Sequence, residues 1–162
     1  MEGGFLAETR SAKAVLRVPL EPGFFTIPED PAESPRLLGS RCQSCGECFF
    51  PRRPVCAKCC QRGTDDVELS PNGTLYTWTY LHVPLFNSLR AAESGYAVGQ
   101  IDLPEGPRIQ AVLEGEQDSF EIGMEMEMGF EVLRRNEEGQ EVVTFRYCPR
   151  NRKAGQGGGV QS

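Results

Sequence analysis

A single histidine in 162 residues excludes any metal site built on several imidazoles, so a bound metal would have to be held mainly by sulfur. No stretch approaches the roughly 20 apolar residues that a bilayer-spanning helix needs. The opening Met1-Glu2-Gly3-Gly4 has neither the basic region nor the apolar core of a secretory signal. The expectation is a cytoplasmic protein without a membrane role. No glycine-rich phosphate loop, Ser/His/Asp constellation or carboxylate pair with acid/base partners can be read along the chain, so it offers no self-contained active site.

What is present is cysteine, glycine and proline: 7, 18 and 12 residues respectively. Short strands and turns suit that mixture better than long helices. With 39% hydrophobic and 25% charged residues, the chain is globular, and its length suits one compact unit or two small ones.

The net charge of −6 conceals a strong asymmetry. Residues 36–64 hold 6 basic groups and 1 acidic group, whereas residues 65–131 hold 2 and 13. A basic cysteine segment is thus followed by an acidic one that would repel a phosphate backbone. Nucleic-acid binding needs a continuous basic footprint, so a small anion or a protein partner is easier to accommodate.

Four segments follow from composition. Residues 1–35 form an N-terminal arm in which only 5–17 could be helical; Pro19, Pro22, Pro28, Pro31 and Pro35 force 18–36 to run extended. Phe24 and Phe25 are candidate anchors for that arm. Residues 36–64 are the cysteine segment, and 65–148 read as strand and turn after the signal Ser70-Pro71-Asn72-Gly73. Residues 149–162 form a tail in which Arg150–Gly159 offers no sizeable apolar side chain to bury, and it is expected to be disordered. Candidate strands are 74–83, 96–103, 108–114, 125–134 and 140–147, with turns at Pro104-Glu105-Gly106-Pro107 and Asn136-Glu137-Glu138-Gly139. Five strands in this length point to an OB-fold barrel.

Cys42-Gln-Ser-Cys45, ten residues, then Cys56-Ala-Lys-Cys59 is a pair of C-x-x-C knuckles. Four thiolates at this spacing can converge tetrahedrally on Zn²⁺, and iron accepts the same geometry. Cys45 and Cys48 also form a C-x-x-C pair, and Cys60 directly follows Cys59. The register Cys42, Cys45, Cys56, Cys59 is preferred because Gly46 then follows the second ligand, where the chain turns with positive φ. Four sulfurs leave no open coordination position, so zinc here is expected to be structural. Cys48, Cys60 and Cys148 remain as spare thiols.

Leu38-Gly39-Ser40-Arg41-Cys42-x-x-Cys45-Gly46-x-x-Phe49-Phe50-Pro51, with Cys56-x-x-Cys59, Gly73-Thr74-Leu75-Tyr76-Thr77-Trp78-Thr79, Tyr96-Ala97-Val98 and Leu103-x-Glu105-Gly106-Pro107-Arg108, resembles a known family. Its members are small acyl-CoA-associated proteins that join a rubredoxin-like zinc ribbon to an OB-fold. The resemblance spans roughly residues 36–148. It implies a mainly β chain, with a four-cysteine zinc ribbon and then a five-stranded OB barrel; the extended N-terminal arm read from the prolines departs from the family's usual helical lead-in.

It further implies a non-catalytic accessory subunit in hetero-oligomeric complex with a thiolase-fold catalytic subunit, the complex acting on a coenzyme A thioester. Family members accompany archaeal thiolase and hydroxymethylglutaryl-CoA synthase, steroid side-chain aldolases, and the thiolase that cleaves benzoylsuccinyl-CoA in anaerobic toluene degradation. The stand-alone length and proline-rich arm resemble this last group most. Cys48 and Cys60 are additional to the family pattern.

Arg41, Arg52, Arg53, Lys58 and Arg62 surround the cysteines. Arg52 and Arg53 are the candidates for contact with the CoA phosphates, since guanidinium binds phosphate oxygens bidentately; the same charges could simply offset four thiolates. Phe49 and Phe50 could anchor a partner or cover the ribbon against the barrel. Tyr76, Trp78 and Tyr80 alternate along one strand, a spacing that in an OB-fold can stack bases, although the acidic surroundings favour core or interface. The competing function is therefore a nucleic-acid-binding zinc-ribbon/OB protein. Residues 84–95 are expected to form a loop that either lies over a partner's substrate entrance or is a solvent loop with one helical turn, and Met124, Met126 and Met128 to line one strand face.

Overall fold

The computed structural model describes residues 16–30, 33–82 and 95–150. The possible helix in 5–17, most of the 84–95 loop and the tail beyond Arg150 therefore lie wholly or largely outside the described residues. Among the described residues nine strands follow in chain order: β1 Arg17–Pro19, β2 Leu38–Cys42, β3 Cys48–Phe49, β4 Thr64–Glu68, β5 Asn72–Leu81, β6 Tyr96–Asp102, β7 Arg108–Leu113, β8 Glu125–Arg135 and β9 Glu141–Pro149. The one helical feature among the described residues is a 3₁₀ turn at Gln117–Ser119.

Alternation of apolar and polar residues places β5 to β9 around one core. Ala97 and Ile101 of β6, and Ile109, Ala111 and Leu113 of β7, point inward and are buried, while their neighbours point out. Met126 and Met128 of β8 do the same, and Val143 and Tyr147 complete the interior from β9. β5 pairs with β6, β6 with β7, β7 with β9 in parallel, β9 with β8, and β8 returns to β5. This closed five-strand circuit is an OB-fold barrel. Both expected hairpins are present: β6–β7 turns through Pro104–Pro107, and β8–β9 through Asn136–Gly139.

Closure brings backbones close. A Cβ on Gly73 would stand 2.5 Å from Ile101 Cγ2 and 2.8 Å from the Asp102 carbonyl oxygen. Gly73→Val is therefore expected to lower stability by about 1–3 kcal/mol through overpacking, read as a shift in the denaturant midpoint. An unchanged midpoint would show that the β5–β6 contact relaxes freely.

β5 carries a bulge between Leu75 and Thr77. The bulge breaks the anticipated single face of Tyr76, Trp78 and Tyr80, because one extra residue reverses the side-chain alternation. Tyr76 faces solvent beneath the Arg108 guanidinium, 3.2 Å from its ring centroid. Trp78, by contrast, is half-buried against Phe120, with ring centroids 5.4 Å apart.

The described part of the N-terminal arm is a short strand, β1, then a turn at Glu21–Phe24, and β1 adds to the barrel's edge. β7 meets β9 only at Arg146 and Tyr147, leaving the first part of β9 without that neighbour. β1 fills the place by pairing in parallel with Glu141, Val142 and Val143. Leu20 N–H donates to the Val143 carbonyl at 2.8 Å. The chain then crosses to the ribbon, where Phe25 bridges Leu37 and lies 5% exposed against Phe145. Phe24 packs on Phe50, and Phe50 on Phe145, at centroid distances of 5.5 and 6.0 Å. Phe50 thus covers the ribbon against the barrel, and the arm joins the two through aromatic contacts.

Candidate metal centre

β2, β3 and β4 form a small antiparallel sheet, order β3-β2-β4, that carries the first knuckle. Cys42 ends β2, and the turn that follows returns through Cys45 to Cys48 in β3. Gly46 has φ +72°, the left-handed conformation expected after the second cysteine. Its N–H donates to the Cys42 carbonyl at 2.9 Å, and the Cys42 N–H donates to the Glu47 carbonyl at 2.9 Å.

The second knuckle repeats this pattern, with Cys60 N–H to the Cys56 carbonyl and Cys56 N–H to the Gln61 carbonyl, both at 3.0 Å. Cys60 takes φ +60°, the place that Gly46 holds in the first knuckle. The two further cysteines of the segment differ in setting: Cys60 occupies a turn position and is exposed, while Cys48 lies in β3 and is buried.

The sulfurs of Cys42, Cys45, Cys56 and Cys59 all lie within 4.8 Å of one another. Cys42 and Cys59, and likewise Cys45 and Cys56, approach to 3.6 Å. A regular tetrahedron with Zn–S bonds of about 2.3 Å has edges of about 3.8 Å, so the donor set fits the ion in number, chemistry and spacing. Cys42 and Cys56 are buried and Cys45 is exposed, placing the centre at the ribbon surface. Lys58 and Glu47 tie the knuckles together by an ion pair at 2.6 Å.

The amides around the sulfurs favour thiolates, and the crowding of the sulfurs opposes them. The Cys45 N–H, helped by that of Ser44 and by neighbouring sulfurs, holds the Cys42 thiol down to about 6 in spite of burial. Cys56 is also lowered, burial being overcome by the Cys59 and Lys58 amides. At Cys59 the Gln61 amide acts in the same direction, but burial and the three facing sulfurs prevail and push the thiol up to about 12. Cys45 is raised as well, the Glu47 amide being outweighed by burial and by two of the sulfurs. Four negative sulfurs this close need a cation, and a divalent metal answers that need.

Arg52 and Arg53 lie beside the sheet in a groove shared with Pro54, Thr64 and Asp66. Their surroundings differ. Arg52 donates to Asp66 at 2.7 Å and to the Gly23 carbonyl at 3.2 Å, linking the ribbon to the arm. Arg53 stands 4.9 Å from the Phe49 ring centroid, and its buried Nε has no hydrogen-bond partner among the described residues. The sequence does not show what holds the loop between the knuckles. Ser40, 1% exposed, accepts the Arg53 N–H at 3.2 Å, and Thr64 donates to the Arg53 carbonyl at 2.7 Å.

Comparison with known proteins agrees with this architecture. Residues 30–65 match the family model described as the ChsH2 rubredoxin-like zinc ribbon domain. Residues 66–131 match that of the ChsH2 C-terminal OB-fold domain. The benzoylsuccinyl-CoA thiolase subunit BbsA of Thauera aromatica is 32% identical over 126 residues, covering 78% of this chain and 84% of that one. A DUF35 domain-containing scaffold protein of Methanothermobacter thermautotrophicus is 33% identical over 119 residues, covering 70% of this chain and 86% of its own. The solved structure titled Ltp2-ChsH2(DUF35) aldolase superposes with a TM-score of 0.55 at 29% identity, covering 70% of this chain and 84% of that one. The four-cysteine cluster and the zinc-ribbon match together support a structural zinc. The chain belongs to the ChsH2 family, in which a rubredoxin-like zinc ribbon precedes an OB-fold.

Proposed function

We propose that this chain is the non-catalytic, zinc-binding subunit of a thiolase-superfamily acyl-CoA enzyme, with Cys42, Cys45, Cys56 and Cys59 as the ligands of a structural zinc. The observation that carries this reading is the similarity to a benzoylsuccinyl-CoA thiolase subunit over 84% of that protein. When bound, the metal cross-links the two knuckles, and with four sulfurs around it no position is left for water or substrate. The remaining cysteines are not arranged as nucleophiles. Cys48 Sγ lies against the Gly46 carbonyl, Cys148 Sγ against the Glu127 carbonyl, and Cys60 points to solvent.

In this reading the partner subunit supplies the nucleophilic cysteine and the oxyanion hole. The present chain stabilises the complex and shapes the acyl-CoA entrance. Arg53, with no carboxylate paired to it among the described residues, suits a CoA phosphate better than Arg52, whose charge Asp66 offsets. Benzoylsuccinyl-CoA is the candidate substrate, which would place the complex in anaerobic toluene degradation. A nucleic-acid role is less well supported, because the β5 bulge separates the aromatic rings that would stack bases.

The test is purification of the tagged chain from its host at moderate salt, with zinc and iron measured and bound proteins identified. A thiolase-fold enzyme in fixed ratio, with about one zinc per chain, is the expected result. Recovery of the chain alone or with RNA would overturn the proposal.

A further inference from the structure

The turn between β6 and β7 does more than reverse the chain. It is closed by Leu103 N–H to the Pro107 carbonyl and Gly106 N–H to the Leu103 carbonyl, both at 3.0 Å, with Gly106 at φ +112°. Glu105 at its tip folds back onto residues 69–71, which lead from the last ribbon strand into the barrel. One carboxylate oxygen, Oε1, accepts the Ser70 N–H at 2.8 Å.

The rest of this junction is also tied down. Leu69, fully buried, donates its N–H to the Leu37 carbonyl at 2.9 Å, and the Pro71 carbonyl accepts the Met128 N–H at 2.8 Å. Asn72 N–H donates to Ser70 Oγ at 3.1 Å.

Besides Arg53 Nε in the ribbon, three polar side-chain atoms are buried without a hydrogen-bond partner among the described residues: Glu105 Oε2, Asn72 Oδ1 and the Tyr147 hydroxyl. Ser70 connects the first two through the bonds just described. The third stands on β9 directly opposite Met128, the residue whose N–H is bound to the Pro71 carbonyl of the junction, and the Glu105 charge, after burial, raises the pKa of Tyr147. Buried polar groups in native proteins find partners, and those left over by the protein commonly share an ordered water that makes about three hydrogen bonds.

The inventory matches one water. It would donate to Glu105 Oε2 and Asn72 Oδ1 and accept from the Tyr147 hydroxyl. A direct Tyr147–Glu105 bond would leave Asn72 Oδ1 without a donor, and a metal cation would find only one carboxylate.

We propose that Glu105, Asn72 and Tyr147 bind one buried water at the junction, and that this polar clamp sets the direction in which the ribbon leaves the barrel. Glu105 is its positioning residue, fastening the junction amide with one oxygen and the water with the other.

The first test is a high-resolution crystal structure of the zinc-loaded full chain. One water within about 2.7–3.2 Å of all three side chains is the expected result; a direct Tyr147–Glu105 bond, or a metal ion in that place, overturns the proposal. In solution, Glu105→Ala should accelerate hydrogen exchange of the Ser70 amide at least about tenfold, while Glu138→Ala, on a distant turn, should leave it unchanged. Glu105→Gln and Tyr147→Phe each break the same three-bond unit, so the double variant should shift the denaturant midpoint by less than the two single shifts combined. Additive shifts, or an unchanged Ser70 exchange rate in Glu105→Ala, overturn the clamp.

Discussion

Cys56→Ser is expected to reduce bound zinc from about one per chain to nearly none and to unfold the ribbon. The effect is large because the ribbon has little core of its own. β2, β3 and β4 span 5, 2 and 5 residues, and Leu37 and Leu69 are buried beside them where the ribbon meets the barrel. Apparent zinc-binding free energies of about 10–16 kcal/mol in small zinc peptides exceed what so small a sheet gains by packing. Serine keeps the volume of Cys56 but offers no thiolate, leaving three sulfurs around the metal.

Metal analysis, together with amide exchange across β2 and β4, checks the outcome. Cys48→Ser and Cys60→Ser are the controls, expected to retain zinc because neither sulfur belongs to the cluster. Loss of zinc in Cys48→Ser would mean that the Cys45/Cys48 register operates, and retention of full zinc in Cys56→Ser would mean that Cys56 is not a ligand.

Phe25→Ala is expected to cost about 3–5 kcal/mol, the range for truncating a buried phenylalanine. That is a large share of the roughly 5–15 kcal/mol that stabilises a domain. The ring is 5% exposed and packs against Phe145 of β9 at 6.0 Å, while the adjoining backbone bonds to the ribbon through Leu38 N–H and the Phe24 carbonyl at 2.7 Å. Loss of the ring therefore loosens ribbon and barrel together. Ile122→Ala provides the comparison: 70% exposed, it should change stability by no more than about 0.5 kcal/mol. Chemical unfolding of the zinc-loaded proteins gives both values, and a Phe25→Ala cost below about 1 kcal/mol would show that the arm merely lies on the surface.

The two predictions differ in how far they could be read from the chain. Cysteine spacing and the glycine after Cys45 were enough to single out, among seven cysteines, the four whose sulfurs cluster, because a knuckle is local: its turn, its left-handed residue and its amide-to-sulfur bonds lie within a few neighbouring positions. The barrel was legible for a similar reason. Alternation in β6, β7 and β8 marks which side chains face inward, and Gly106 and Gly139, both at positive φ, mark where hairpins reverse.

Phe25 was legible only as an anchor without a stated berth. An extended, proline-rich segment has no periodicity that names its neighbour, and its pairing with β9 depends on a gap that exists only after β7 and β9 have met. The bulge at Tyr76 likewise follows from barrel curvature, and it sends Tyr76 outward where simple alternation grouped it with Trp78 and Tyr80. Nor could composition separate Arg52 from Arg53, adjacent and chemically identical, until folding set Asp66 against one and Phe49 beneath the other. Local backbone preference and side-chain period are written in neighbouring residues. Partners brought together across 35 residues, as Ser70 and Glu105 are, are settled by which distant surfaces jointly bury apolar area and satisfy each other's hydrogen bonds.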